Sequence, residues 1–191
     1  MARSRARAYP AIVARGRVNS LAQTTLMLTC PGVPDLYQGS EVWDLALVDP
    51  DNRRPVDYPA RRALLHSLSG ATAEAALARD DDGGPKLWLI HRVLSHRRRN
   101  PGVYGPRSGY EPLAVTGPRS AHAVAFTRSG GLVTVIPRLA RLPGETWQGT
   151  TVALPAGEWV SVLTGDRADG GETGVAELLR RFPVAVLARN G

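Results

Sequence analysis

The sequence predicts an α/β part over residues 1–103 and an all-β part, an antiparallel sandwich, over residues 104–191. Two observations carry this prediction. In the first part, a helical pattern, a Pro-Gly turn and a short apolar run follow one another, which is half of an α/β repeat. In the second part, short apolar runs alternate with proline- and glycine-rich turns, which is typical of small antiparallel sandwiches.

The α/β unit begins with a helix predicted at residues 21–28, where Asn19 and Ser20 provide an N-terminal cap. The Pro-Gly turn ends this helix, and residues 33–38 form a predicted strand with Pro34 near its start. A long polar segment over residues 39–58 follows, and segments of this length without regular structure are usually functional or disordered.

Two more helices are predicted downstream of this segment. Residues 59–68 have a proline in the first turn, where proline is tolerated. Residues 86–99 have leucines and an isoleucine along one face and an arginine-rich end that suits the helix dipole. Residues 80–84, three aspartates and two glycines, are predicted to be a solvated connector, and arginines 97–99 a solvated helix end.

The strands of the second part start with a hairpin signal. The runs at residues 122–127 and 132–136 flank an Arg-Ser-Gly-Gly turn. Three further strands are predicted at residues 150–154, 158–163 and 183–187.

Composition excludes several function classes. The net charge is +7, but the basic residues are almost all dispersed arginines, Lys86 being the single lysine, so nucleic-acid binding is not favoured. No apolar run reaches the roughly 20 residues needed to span a bilayer, so no membrane partner is expected. The single cysteine, Cys30, excludes an internal disulfide and fits a cytoplasmic location. The four histidines lack metal-ligand spacing, so no metal is expected.

Carboxylates are concentrated around the end of the predicted strand at residues 33–38. Carboxylate pairs carry out glycoside chemistry, one as nucleophile and one as acid, and the carboxyl ends of barrel strands face the active site. Arg53 and Arg54 have the rigid forks that orient carboxylates or bind sugar hydroxyls. Tyr37 and Trp43 offer flat faces that stack on sugar rings. The acidic candidates are Asp35, Glu41, Asp44, Asp49, Asp51 and Asp57.

The same residues also fit structural roles. Asp35 could cap a turn, and the Asp/Asn/Arg cluster could be a solvated network of ion pairs. Tyr37 and Trp43 could be core or rim aromatics. Spacing alone leaves these alternatives open.

Two motifs carry a family resemblance. They are Pro31-Gly-Val-Pro-Asp-Leu-Tyr-Gln-Gly-Ser-Glu41 and Val48-Asp-Pro-Asp-Asn-Arg-Arg54. The first resembles the last barrel strand of α-amylase-type glycoside hydrolases. The second, together with the Trp-Asp-Leu that precedes it, most closely resembles the maltooligosyltrehalose synthases. Shorter matches at residues 86–89, 110–113 and 179–184 extend the resemblance over nearly the whole chain.

The resemblance implies the end of a (β/α)8 (TIM) barrel over residues 1–103, followed by the sandwich. It implies an isomerase reaction, an intramolecular transglucosylation that converts the reducing-end α-1,4 bond of a maltooligosaccharide into an α,α-1,1 bond, without a cofactor. The family's catalytic carboxylates belong to earlier strands, so no catalytic residue is expected in this chain. The expected substrate-binding residues are Asp35, Tyr37, Gln38, Glu41, Asp49, Asp51, Asn52, Arg53 and Arg54.

The sequence therefore predicts a C-terminal fragment of such an enzyme, inactive alone, whose partners are the maltooligosaccharide and the missing N-terminal barrel segment. A non-catalytic carbohydrate-binding or assembly module is the alternative.

Overall fold

The computed structural model describes residues 2–46, 48, 53–139 and 146–190. The strands are β1 (Glu111–Pro112), β2 (Val115–Thr116), β3 (Ala123–Arg128), β4 (Leu132–Pro137), β5 (Thr151–Ser161), β6 (Arg167–Gly174) and β7 (Ala185–Arg189). The helices are α1 (Ala2–Thr29), α2 (Tyr58–Leu68), α3 (Ala73–Leu77), α4 (Gly84–Arg99), α5 (Pro101–Tyr104) and α6 (Val175–Leu178). The helices of the described residues lack the combination of length and apolar content that a membrane span requires.

The helical part matches the sequence prediction at α2 and α4 and differs from it at α1. The helix predicted at residues 21–28 starts at Ala2, so Asn19 and Ser20 lie inside it rather than at its cap. Alanine and arginine are among the best helix formers, and they extend the helix without a start signal. The short helix α3 is capped by Thr72, whose hydroxyl accepts a hydrogen bond from the Ala75 amide at 3.2 Å.

The predicted strand at residues 33–38 does not form. The backbone is irregular from Val33 to Tyr37 and then turns, with the Ser40 amide bonded to the Tyr37 carbonyl at 3.0 Å. A strand requires a neighbouring ladder, and the described residues pair none with this segment. The segment therefore stays extended without becoming part of a sheet.

The seven described strands form one antiparallel sheet rather than the two packed sheets of the predicted sandwich. The hydrogen-bonded order is β1-β3-β4-β7-β5-β2, and β6 pairs with the other edge of β5. Residues 111–116 contact both ends of this order, because Leu113 donates to Ala125 of β3 and Ala114 accepts from Ala153 of β5. The sheet therefore curls on itself.

Strand β5 explains why one sheet replaces two. The strands predicted at residues 150–154 and 158–163 are two halves of β5, joined across a bulge between Leu154 and Glu158. Its first half pairs with β2 and its second half with β7, while β6 runs along the opposite edge. The predicted hairpin is confirmed, with Ser129 and Gly130 at φ 48° and 60° in its turn.

Strand β4 is buried on both faces and lies between two apolar clusters. Leu132 and Ile136 face the cluster that includes α1 and α4, whereas Val133 and Val135 face the interior of the curl. Burying one such side chain contributes about 1.5–3 kcal/mol. The first cluster contains residues from both sides of the predicted boundary at residue 103, among them Leu28, Trp88, Phe182 and Val186.

Arg181 joins α3 to the sheet part through charged groups. Its guanidinium bonds both carboxylate oxygens of Glu74 at 2.5 and 3.1 Å, and Asp166 at 2.6 Å. The hydrogen bonds from Arg181, with smaller contributions from the Glu74 amide and Thr72, lower the pKa of Glu74 to about 2.

This pKa predicts how stability changes with pH. Glu74 has a lower pKa in the folded state than in the unfolded chain, where the value is near 4.5. Its contribution is therefore complete above the unfolded pKa and is lost as the pH falls through 4.5 towards 2. We expect the difference in urea midpoint between the natural chain and Glu74→Gln to shrink between neutral pH and pH near 3. The same substitution on an Arg181→Gln background is the control, and an equally pH-dependent difference there would contradict the assignment.

Candidate functional site

The segment between α1 and α2 carries the predicted site residues, and contacts with neighbouring elements hold it in place. Leu36, Val42 and Trp43 pack against the apolar cluster beneath it. Asp57 ends the segment and caps α2, accepting a hydrogen bond from the Ala60 amide at 2.9 Å. Further contacts of the segment are made with Arg61 of α2 and Arg17 of α1.

Arg61 of α2 binds the middle of the segment. Its Nε donates to the Glu41 carboxylate at 3.2 Å, and its Nη2 donates to the Gly39 carbonyl at 3.1 Å. Both charged side chains are about one quarter exposed, so the pair is only partly screened by water. Glu41 therefore serves as an anchor for the turn at residues 38–40.

Trp43 forms the second anchor. Its indole N–H donates to the Asp80 carbonyl, and the guanidinium of Arg17 lies 5.7 Å from the ring centroid. Arg17 also binds the Asp80 carboxylate and lies 3.0 Å from that of Asp81. Trp43 is half-buried, in agreement with the alternative that this residue is a core or rim aromatic.

The predicted solvated connector at residues 80–84 is exposed at Asp81 and Asp82, but Gly83 packs beneath the segment between α1 and α2. Gly83 and Gly84 are both buried. A Cβ added to Gly83 would lie 2.5 Å from the Val42 Cβ and 2.9 Å from the Trp43 amide nitrogen, and the backbone there has φ +76°. Glycine is needed for the close approach of the two chain segments, which the local sequence does not reveal.

The described part of the segment presents Asp35, Tyr37 and Gln38 to solvent. Tyr37 is 51% exposed, and Gln38 accepts a hydrogen bond from the Tyr58 hydroxyl at 3.3 Å. Arg53 and Arg54 are also on the surface and have interactions of their own. Asp49, Asp51 and Asn52 lie outside the described residues. The assignment of all nine residues to substrate binding stays a prediction.

Comparisons with known proteins point to one family. No family model matches the chain. A protein of Mycobacterium tuberculosis named "Putative maltooligosyl trehalose synthase" is 40% identical over 173 residues, which are 90% of this chain and 20% of that protein. The maltooligosyltrehalose synthase structure from Arthrobacter ramosus matches with a TM-score of 0.83 at 36% identity, over 96% of this chain and 24% of that one.

The chain is homologous to the C-terminal part of maltooligosyltrehalose synthases. A further maltooligosyl trehalose synthase crystal structure, at 23% identity, shares the fold with a TM-score of 0.66 over 91% of this chain and 22% of that one. The chain spans about a fifth to a quarter of the length of these synthases. The resemblance predicted from the two motifs is thus confirmed.

Two charged residues beneath the segment between α1 and α2 were not identified as part of the site from the sequence. Arg61 binds the Glu41 carboxylate and the Gly39 carbonyl, and Lys86 is buried in the first turn of α4. Burial lowers the pKa of Lys86, while the charges of Asp44 and Glu41 act in the opposite direction. Lys86 could have been noticed as the single lysine in an arginine-rich chain, whereas Arg61 carries no local signal. Among the described residues, no group of three or more acidic, histidine or cysteine side chains is arranged to hold a metal ion.

The close approach of Gly83 to the segment between α1 and α2 predicts that two glycine substitutions lower the free energy of unfolding by different amounts. Gly70 has φ +75°, almost equal to that of Gly83, but open space where an added Cβ would lie. We expect Gly70→Ala to lower the free energy of unfolding by about 1–2 kcal/mol through backbone strain. Gly83→Ala should cost about 1–3 kcal/mol more, because it also overpacks Val42. Urea unfolding of both variants measures the difference, and equal losses would show that the close approach contributes nothing.

Proposed function

We propose that this chain supplies part of the glucan-binding wall of a maltooligosyltrehalose synthase. The observation that carries the proposal is that a segment matching the family's motifs presents polar and aromatic side chains outward from a fixed base. Asp35, Tyr37 and Gln38 are exposed, while Arg61 and Trp43 anchor the backbone behind them. An aromatic face beside hydrogen-bonding groups is suited to a sugar ring and its hydroxyls.

The proposed reaction is an intramolecular glycosyl transfer at the reducing end of a maltooligosaccharide. A carboxylate nucleophile attacks the anomeric carbon as a carboxylic acid protonates the leaving oxygen, which gives a covalent glycosyl–enzyme and free glucose. The glucose reorients, and its anomeric hydroxyl attacks the glycosyl–enzyme, which releases the carboxylate nucleophile and returns the proton to the residue that acted as acid. Water must be excluded between these steps. We assign the nucleophile and the acid to the part of the synthase that precedes this chain in its relatives, and only the wall to this chain.

In the wall, the proposed sugar-binding groups are Asp35, Tyr37, Gln38 and Glu41 at the start of the segment and five residues further along it. Asp51 and Arg54 are proposed to hold sugar hydroxyl groups near the bond that is cleaved. The Asp51 carboxylate would accept hydrogen bonds from them, and the planar guanidinium of Arg54 would donate hydrogen bonds to them. Arg53, Asp49 and Asn52 complete the proposed set. No metal or organic cofactor is part of the proposal, and the cytoplasm is the proposed location.

Exposed apolar side chains indicate that another protein surface covers the segment between α1 and α2. Three such residues, Val33, Leu45 and Val48, lie within one stretch of sixteen positions and are 94%, 87% and 63% exposed. Apolar residues grouped in this way mark interaction surfaces. We propose that residues 33–38 pair with the preceding strands of a (β/α)8 barrel, as its last strand. A carbohydrate-binding or assembly module that docks on a separate chain is the second candidate, and the same surface supports it.

The test of the wall is a titration of the purified chain with maltopentaose, followed by tryptophan fluorescence and by a reducing-sugar assay. We expect saturable binding without loss of reducing ends. Tyr37→Ala should weaken binding by about 1–3 kcal/mol if the ring stacks on the sugar, by analogy with other aromatic stacking contacts. Tyr110→Ala is the matched control, since Tyr110 is similarly exposed at 45% but lies in the sheet part, against Phe126.

Each outcome of this titration is informative. Binding that depends on Tyr37 and not on Tyr110 supports the wall. An absence of binding would contradict a wall that is preformed in this chain, and loss of reducing ends would show that the isomerase chemistry resides here after all.

A further inference from the structure

The C-terminal end of α1 is bound by two arginines from distant elements. Arg128, at the end of β3, donates from Nη1 to the Thr29 carbonyl at 2.7 Å. Arg97 of α4 donates from Nη1 to the Leu28 carbonyl at 3.1 Å and from Nη2 to the Gly32 carbonyl at 3.0 Å. The last carbonyls of a helix have no partner within the helix and carry partial negative charge, so guanidinium groups satisfy both their hydrogen bonding and their charge.

Arg128 is the more deeply buried of the two, at 1% exposure. Its other donors reach the Gly109 carbonyl at 3.0 Å and the Ser108 hydroxyl at 2.7 Å. These partners are neutral oxygens, and burial lowers the pKa of Arg128. A buried guanidinium is destabilising unless its hydrogen bonds are well satisfied, so the bond to the helix end is one of the contacts that this residue requires.

Arg97 belongs to the same layer. Its guanidinium lies 4.8 Å from the ring centroid of Tyr104, whose hydroxyl is 2.8 Å from Nδ1 of His96. Arg97 is therefore an ordered contact, and the prediction that residues 97–99 are simply a solvated helix end is wrong at this position. The shape of the fork, which reaches two carbonyls at once, is the property that a lysine cannot reproduce.

The bonds from Arg97 and Arg61 bracket the exposed wall residues. Arg97 binds the carbonyl of Gly32, immediately before residues 33–38, and Arg61 binds the carbonyl of Gly39, immediately after them. The segment between these two carbonyls lacks regular hydrogen bonding of its own. Its backbone is therefore held by hydrogen bonds at its two ends, and Leu36 packs against the apolar cluster between them.

We propose that Arg97 and Arg128 are positioning residues for the wall segment at residues 33–38. Arg128 fixes the end of α1 from the sheet part, and Arg97 fixes the first turn beyond it. The sheet part and α4 thereby orient the groups that are proposed to contact the glucan, without touching the glucan themselves. The link to glucan binding rests on the proposed function, whereas the positioning of the segment does not.

Hydrogen exchange of the whole 191-residue chain, followed by mass spectrometry, tests the positioning directly. We expect Arg97→Gln and Arg128→Met to accelerate exchange of the hydrogen-bonded amides at the end of α1 and at Ser40, in peptides covering residues 26–41, by about tenfold relative to peptides of β4, the order of one or two lost hydrogen bonds. Arg92→Met is the matched control. Arg92 is also on α4, binds the Val162 carbonyl at 3.0 and 2.9 Å and lies over Trp88 at 5.8 Å, but it is not among the groups that bind the end of α1.

A selective acceleration at residues 26–41 in the Arg97 and Arg128 variants, absent in Arg92→Met, supports the proposal. Equal acceleration in β4 and residues 26–41, or none in either, would overturn it. Arg128→Lys keeps the charge and a single donor nitrogen, so it should recover part of the protection and remain folded if Arg128→Met does not. Maltopentaose affinity, measured on the same variants, should fall in parallel with protection. If the natural chain binds no glucan, the proposed function fails while the exchange pattern still decides the positioning.

Discussion

The burial of both faces of β4 is the constraint on which the rest of the structure depends. One face packs against α1 and α4, and the other packs against the interior of the curled sheet. A strand that is apolar on both faces must be covered on both, so the helices cannot separate from the sheet without exposing Leu132 and Ile136. The helical part and the sheet part are therefore coupled through β4, and Phe182 and Val186 extend the same apolar contact.

The polar contacts depend on that packing, and they hold the exposed segment between α1 and α2 in place. Once α1 lies across β4, its last carbonyls come within reach of Arg128, and α4 brings Arg97 to the adjoining turn. Arg61 and Trp43 fix the far side of the segment. A segment with little regular structure can present side chains in a defined arrangement only if its ends are held, because each free residue costs about 1–2 kcal/mol to order. Here the required order comes from the neighbouring elements.

Local signals in the sequence predicted what is local in the structure. The helices α2 and α4 and the β3–β4 hairpin follow from proline placement, helical spacing and a glycine turn, and all are found. The contiguous motifs at residues 31–41 and 48–54 predicted the homology. Strand β6 was missed because it contains glycines and charges rather than an apolar run, and it forms by pairing along β5. The curl was also unpredictable, since it depends on residues 111–116 bonding to two strands that are distant in sequence. The packing of Gly83 beneath Val42 is likewise a tertiary contact with no local signature.

The segment at residues 33–38 shows where a local pattern needs a context to become structure. Its apolar residues favour a strand, yet Val33 is almost fully exposed and the backbone has no ladder among the described residues. A strand edge leaves half of its amide and carbonyl groups unpaired, and a lone strand leaves all of them to water, so the strand conformation gains nothing by itself. The carbonyls of Gly32 and Gly39 are already bound on either side. A partner edge could therefore convert the segment to a strand by satisfying its backbone, while its ends, and the sugar-facing groups proposed between them, stay where the arginines hold them.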